Sequence, residues 1–73
     1  MNQKEYAVVY EWGTRNWSAY VPDLPGCIST GHTFEQIQRG IREAIELHLE
    51  SLREDGDPIP EPTTRVEVVP VAA

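Results

Sequence analysis

The feature that most narrows what this chain can fold into is one long amphipathic run with a stop signal at each end. Thr33 is followed three places later by Gln36, the capping-box spacing in which each side chain satisfies a backbone N–H near the other. Gly56 then offers a left-handed cap and Pro58 forbids continuation, so the sequence predicts a helix from Phe34 to about Asp55. At about 1.5 Å per residue it would be roughly 33 Å long, so its C-terminal end is expected to overhang a sheet of ordinary strands. Side chains spaced by about 100° put Phe34, Ile37, Ile41, Ala44, Ile45, His48, Leu49 and Leu52 on one apolar stripe. That stripe needs a second layer, which in a chain of 73 residues only the flanking segments can supply.

Those segments read as strands. Residues 5–12 are rich in Tyr, Val and Trp, residues 13–16 form a turn, and residues 17–21 return as the second arm of a hairpin. Pro22, Pro25 and Gly26 cannot continue a ladder, so the chain reverses there before a short strand over residues 27–30. Beyond the helix, Asp57-Pro58-Ile59-Pro60-Glu61-Pro62 is a stiff connector, and residues 65–69 alternate like a half-buried strand. The prediction is a single α+β domain over residues 1–73, with order βββαβ. If the helix serves as a right-handed crossover, the fourth strand lies parallel to the first, in a mixed sheet of spatial order 3-2-1-4.

Folding a chain this small buries only about 60 % of its unfolded surface, so its core is marginal. With one cysteine, Cys27, there is no internal disulfide, and no His or Cys spacing suggests a metal site, so assembly into a dimer or tetramer is the expected reinforcement. The 6 Lys and Arg against 12 Asp and Glu give a formal charge of −6, which argues against direct nucleic-acid binding and favours a basic partner. No apolar run approaches a membrane span and the N-terminus is polar, so a cytoplasmic location is expected.

Candidate partner-facing residues are those that the core leaves unexplained. Tyr6, Val8, Tyr10 and Trp12 alternate on one side of the first strand and Ala7 and Val9 on the other, yet one helix covers one face. Either the second face meets another subunit or a partner, or its aromatics lie partly wet. Every aromatic except Phe34 lies in the hairpin, which favours the former and singles out Tyr10, Trp12 and Trp17. On the helix, Leu47 falls outside the apolar stripe, beside the small residues Gly40, Ala44 and Ser51, a flank that another chain could approach. Glu43, Glu46, Glu50 and Glu54 read as a solvated face. Glu46, Glu50 and Glu54 are like charges at i, i+4, and Glu54 and Asp55 oppose the negative helix end, an unrelieved acidity that suits a cationic partner, with Glu43, Glu50 and Glu54 the candidate contacts.

Catalytic chemistry finds little support. Cys27 reads as a small hydrophobe at a strand start, His32 as a loop residue before the helix, and His48 as a core or interface group. The glycines are scattered singly, so no phosphate loop exists, and only Gly40 lacks a turn or cap to explain it. No cofactor is implied. A small hydrolase using Cys27 or His32 would lack its remaining parts.

The run Tyr20-Val21-Pro22-Asp23-Leu24-Pro25-Gly26-Cys27, then Ser29-Thr30-Gly31, then Thr33 opening a helix with Glu43-Ala44-Ile45-Glu46-Leu47, resembles the HicB-like antitoxin family. The later Gly56-Asp57-Pro58-Ile59-Pro60-Glu61-Pro62 is similar to that family's helix exit, so the resemblance covers about residues 6–69. It implies a βββαβ domain likened to a partial ribonuclease H fold without a working active site. It also implies a partner, a small basic HicA-like toxin that cleaves mRNA, which the protein would bind and neutralise. Pro22, Asp23, Pro25, Gly26, Cys27, Gly31, Thr33 and Gly56 carry over as architecture, not as catalytic groups. Many members continue into a DNA-binding segment, which this chain, ending at Ala73, is expected to lack. His32, Ile37 and Gly40 depart from the residues common in the family. The competing reading is a homo-oligomeric scaffold or small-ligand-binding domain that keeps the fold without a toxin.

Overall fold

A computed structural model describes residues 3–73; Met1 and Asn2, the start of the polar N-terminal run, lie outside the described residues. Three strands and a helix follow in order: β1 (Val9–Trp12), β2 (Trp17–Tyr20), β3 (Ile28–Gly31) and α1 (Phe34–Glu54). The strands form an antiparallel meander of order β1-β2-β3, with Val9 opposite Tyr20 and Trp12 opposite Trp17, then Tyr20 opposite Ile28 and Trp17 opposite Gly31.

The turn that the two prolines predict is two turns in succession. The Leu24 N–H donates to the Val21 carbonyl and the Cys27 N–H to the Leu24 carbonyl, placing Pro22 and Pro25 each at the second position of a turn. Gly26 has φ of 85°, the left-handed value that the third position of a type II turn requires. A Val21 N–H to Cys27 carbonyl bond closes the loop, so both residues belong to it and not to the strands expected to include them. Folding the loop this way drives Leu24 inward until none of it is exposed.

Both helix ends form as predicted. The Gln36 N–H donates to Thr33 Oγ1, while Gln36 Oε1 accepts from the N–H groups of His32 and Thr33. At the other end the Gly56 N–H donates to the Arg53 carbonyl and the Asp57 N–H to the Leu52 carbonyl, a Schellman pattern that Gly56 permits with φ of 72°. The helix backbone lies over β3 and β2, and β1 reaches it through side chains, Tyr10 against Phe34. Two glycines bring it down on the β3 side. A methyl on Gly31 would come within 3.0 Å of the Ile37 nitrogen, and one on Gly40 within 2.7 Å of Ser29 Oγ. Gly40 therefore faces β3 of its own sheet, not the flank offered to another chain. The buried core is Ala19, Val21, Leu24, Cys27, Ile37 and Ile41, with Tyr6, Val8, Tyr10, Trp17, Ala44, Ile45 and Leu49 packed around it.

Two expectations about the sheet are corrected. β1 begins at Val9 and not near Glu5, because β2 ends at Tyr20 and Pro22 turns the chain away, leaving residues 5–8 with no neighbouring strand. The fourth strand is absent: residues 65–69 pair with nothing among the described residues, and Val66, Val68 and Val69 are exposed. The sheet is thus three-stranded and wholly antiparallel, not a mixed sheet of order 3-2-1-4. The cause is where the connector is held. The Tyr6 hydroxyl donates to the Pro60 carbonyl, and Asp23 in the β2–β3 loop grips Thr63 and Thr64. The run that follows leaves from the β2–β3 loop and pairs with no strand among the described residues. Its departure stretches the molecule to 47 × 26 × 21 Å with a radius of gyration of 14.0 Å, against about 11 Å for a compact chain of this length.

Candidate functional site

Three surfaces emerge. On the solvent side of α1, Glu43, Leu47, Glu50 and Glu54 are spaced 4, 3 and 4 apart and so share one stripe, opposite the stripe that enters the core. All four are exposed, Leu47 at 66 %. The result is an apolar side chain bracketed by carboxylates along a rigid helix, suited to a surface carrying Lys or Arg around an apolar recess.

The second surface is an aromatic corner where the sheet meets the start of the helix. Tyr10 and Trp17 are half-buried against Phe34, with ring centroids 4.9 and 5.1 Å away, and Trp12 packs edge-on to Trp17 at 5.4 Å. These tilted contacts suit the ring quadrupoles and hold the rings in place. Trp12 remains 56 % exposed, a large flat group on a fixed base. The aromatics therefore point toward the helix side of the sheet. Its outer side carries instead the cross-strand row Val9, Tyr20 and Ile28, of which Ile28 is most exposed.

The third feature is the Asp23 clasp. Asp23 accepts four hydrogen bonds of 3.0 Å, from the backbone N–H and the hydroxyl of both Thr63 and Thr64. Led by the Thr64 backbone donor, these bonds hold its carboxyl below the usual aspartate value. Beside it, Lys4 reaches Glu61 at 2.6 Å and Tyr6 reaches the Pro60 carbonyl at 2.6 Å, with burial raising the Tyr6 phenol. Sequence reading treated Asp23 as a turn former and passed over Thr63, Thr64 and the core role of Leu24. The available signal was a pair of threonines next to a proline-stiffened connector, with an aspartate in a turn that the prolines already define.

The remaining candidates do not converge. Cys27 is buried, which raises its thiol and keeps the nucleophilic thiolate scarce. His32 is exposed before the helix and His48 is half-buried on it. Among the described residues no three His, Cys, Asp or Glu side chains are grouped to hold a metal ion, and no helix is long and apolar enough to cross a membrane.

A three-stranded antiparallel meander under one capped helix defines a small α+β domain. The chain belongs to the HicB-like antitoxin family of bacterial toxin–antitoxin systems, whose family model matches residues 6–71. It is 48 % identical over 44 residues to a UPF0150 protein of Synechocystis, a match covering 60 % of this chain and 56 % of that protein. A UPF0150 protein of Helicobacter pylori is 45 % identical over 47 residues, covering 64 % of this chain and 65 % of the relative. The chain thus spans less than two thirds of the length of both relatives. Among solved structures, one chain of a HicA3 and HicB3 toxin–antitoxin complex superposes with a TM-score of 0.70 at 32 % identity, covering 82 % of this chain and 70 % of that one.

Proposed function

We propose that this protein is a non-catalytic antitoxin module that binds and neutralises a small, basic, HicA-like mRNA-cleaving toxin. The observation that carries the reading is the acidic stripe of α1 on a fold shared with a chain of a toxin–antitoxin complex. Glu43, Glu50 and Glu54 supply the field that steers a cationic partner, Leu47 supplies the apolar centre of the contact, and Trp12, on its base of Trp17 and Tyr10, supplies an aromatic anchor. With a charge of −6 the chain covers a basic RNA-binding face without itself binding nucleic acid, and it acts in the cytoplasm, where such a target resides.

The test is co-expression with a HicA-like toxin, reading mRNA decay, followed by binding kinetics on the purified pair. The reading expects mRNA to be protected. Glu43→Lys, Glu50→Lys and Glu54→Lys together should slow association about tenfold or more, and raising the salt should weaken the wild-type complex. Protection that survives all three reversals would move the contact off this helix; continued decay with wild-type protein present would end the antitoxin reading.

A further inference from the structure

The missing fourth strand leaves two unmatched surfaces. One is an open groove of about 560 Å³ between β1 and α1, lined by Val8, Tyr10, Ile41 and Ile45 and, in like measure, by polar side chains that include Lys4, Gln38, Arg42 and Glu46. Above it runs the free edge of β1, which among the described residues pairs only with β2, together with residues 5–8, which pair with no strand. The other is the run Arg65-Val66-Glu67-Val68-Val69, whose Val66 and Val68 are 61 and 91 % exposed. A groove with one apolar wall under an unpaired strand edge and a valine-rich, strand-patterned segment in solvent are each unfavourable alone and complementary together.

We propose that residues 65–69 of one copy add to the free edge of β1 in a second copy, placing Val66 and Val68 in its groove. In its own copy the segment stands away from the groove. The clasp holds Thr63 and Thr64 at the β2–β3 loop, and residues 65–69 run on from it exposed to solvent, none of them lining the groove. A neighbouring copy can present its edge wherever the segment emerges. Each copy offers one groove and one segment, so reciprocal addition closes a two-fold dimer in which both β1 edges are paired and both segments are used. Period-two alternation then sets Val69 on the outer sheet face, beside Val9, and Pro70, which lacks an N–H, ends the added strand.

The inference goes beyond the antitoxin reading, since the dimer forms with or without a toxin, and salt separates the two. Two copies each carrying −6 repel, so screening should strengthen the dimer, whereas it weakens a complex with a basic partner. The experiment is sedimentation equilibrium of residues 1–73 across the micromolar range, with amide hydrogen exchange at several concentrations. The expected result is a dimer whose Val66, Glu67, Val68 and Val69 amides gain protection as concentration rises. Val66→Glu with Val68→Glu should raise the dissociation constant about 100-fold or more, because two carboxylates then face Val8, Ile41 and Ile45 in place of two apolar side chains. Helical circular dichroism should persist in that variant, because neither side chain enters the core of its own copy. A strict monomer, a dimer indifferent to the double substitution, or protection independent of concentration, which would mean the segment folds onto its own edge, would each overturn the proposal.

Discussion

Residues 9–56 and residues 57–73 are held to the same molecule by different physics. The first region is a sheet and a helix joined by apolar burial, with Leu24, Ile37 and Ile41 sealed between the layers. The second is a proline-stiffened connector, with Ile59, Pro60 and Pro62 half-buried, that is attached by hydrogen bonds and one ion pair to Asp23, Tyr6 and Lys4 and beyond them makes no polar contact among the described residues. Burial is cooperative, because every core residue touches several others. A polar clasp is modular, and releasing it should free one segment and leave the rest in place.

The strongest way to break the contrast is in the core. Leu24→Ala empties a fully buried site at a cost of about 2–5 kcal/mol, which a domain of this size can scarcely absorb. Urea titration should find it largely unfolded, with the loss of helix signal and of Trp17 burial coinciding. Gly31→Ala comes next: its methyl would press on the Ile37 backbone at 3.0 Å, and a forced shift of the helix should cost about 1–3 kcal/mol by thermal melting.

Asp23→Ala should behave otherwise. Helix and sheet signals should hold while the Thr63 and Thr64 amides lose exchange protection, and global unfolding would show the clasp to be part of the core. Acid sharpens the same point. The folded carboxyl titrates below the ordinary value of 3.8, so the clasp contributes fully above that pH and is lost as pH falls through the lower folded value. The Thr63 and Thr64 amide shifts should report release in that acid range. The smallest effect belongs to Gly40→Ala, where about 1 kcal/mol of helix propensity is set against Ser29 Oγ at 2.7 Å. Combining it with Ser29→Ala should restore stability beyond the sum of the single changes, a coupling that a double-mutant cycle measures.

The same division explains what could be read in advance. Thr33 with Gln36, Gly56 before Pro58, and the Pro22, Pro25 and Gly26 turn are signals confined to a few neighbouring residues, and each appears as predicted. Leu24 was not legible as core, because an apolar residue alone in a proline turn has no periodicity to mark it. The bonds from Asp23 to Thr63 and Thr64 span 40 and 41 positions, a separation at which no local pattern links donor to acceptor. The alternation over residues 65–69 shows what can become a strand, but not beside which edge. Of the candidate surface, the acidic helix stripe followed from helical spacing alone. The orientation of Tyr10 and Trp17 toward Phe34 required the sheet register.

Gly31 and Gly40 both lie where the helix meets β3, so the two layers are pinched along one margin and splay along the other, like a hinge whose pin is two absent methyl groups. The width of the mouth beside β1 is therefore governed from the opposite side of the molecule. Bulk added at position 40 would act as a wedge at the pin, tilting the helix toward β1 and narrowing the mouth without altering a residue that lines it.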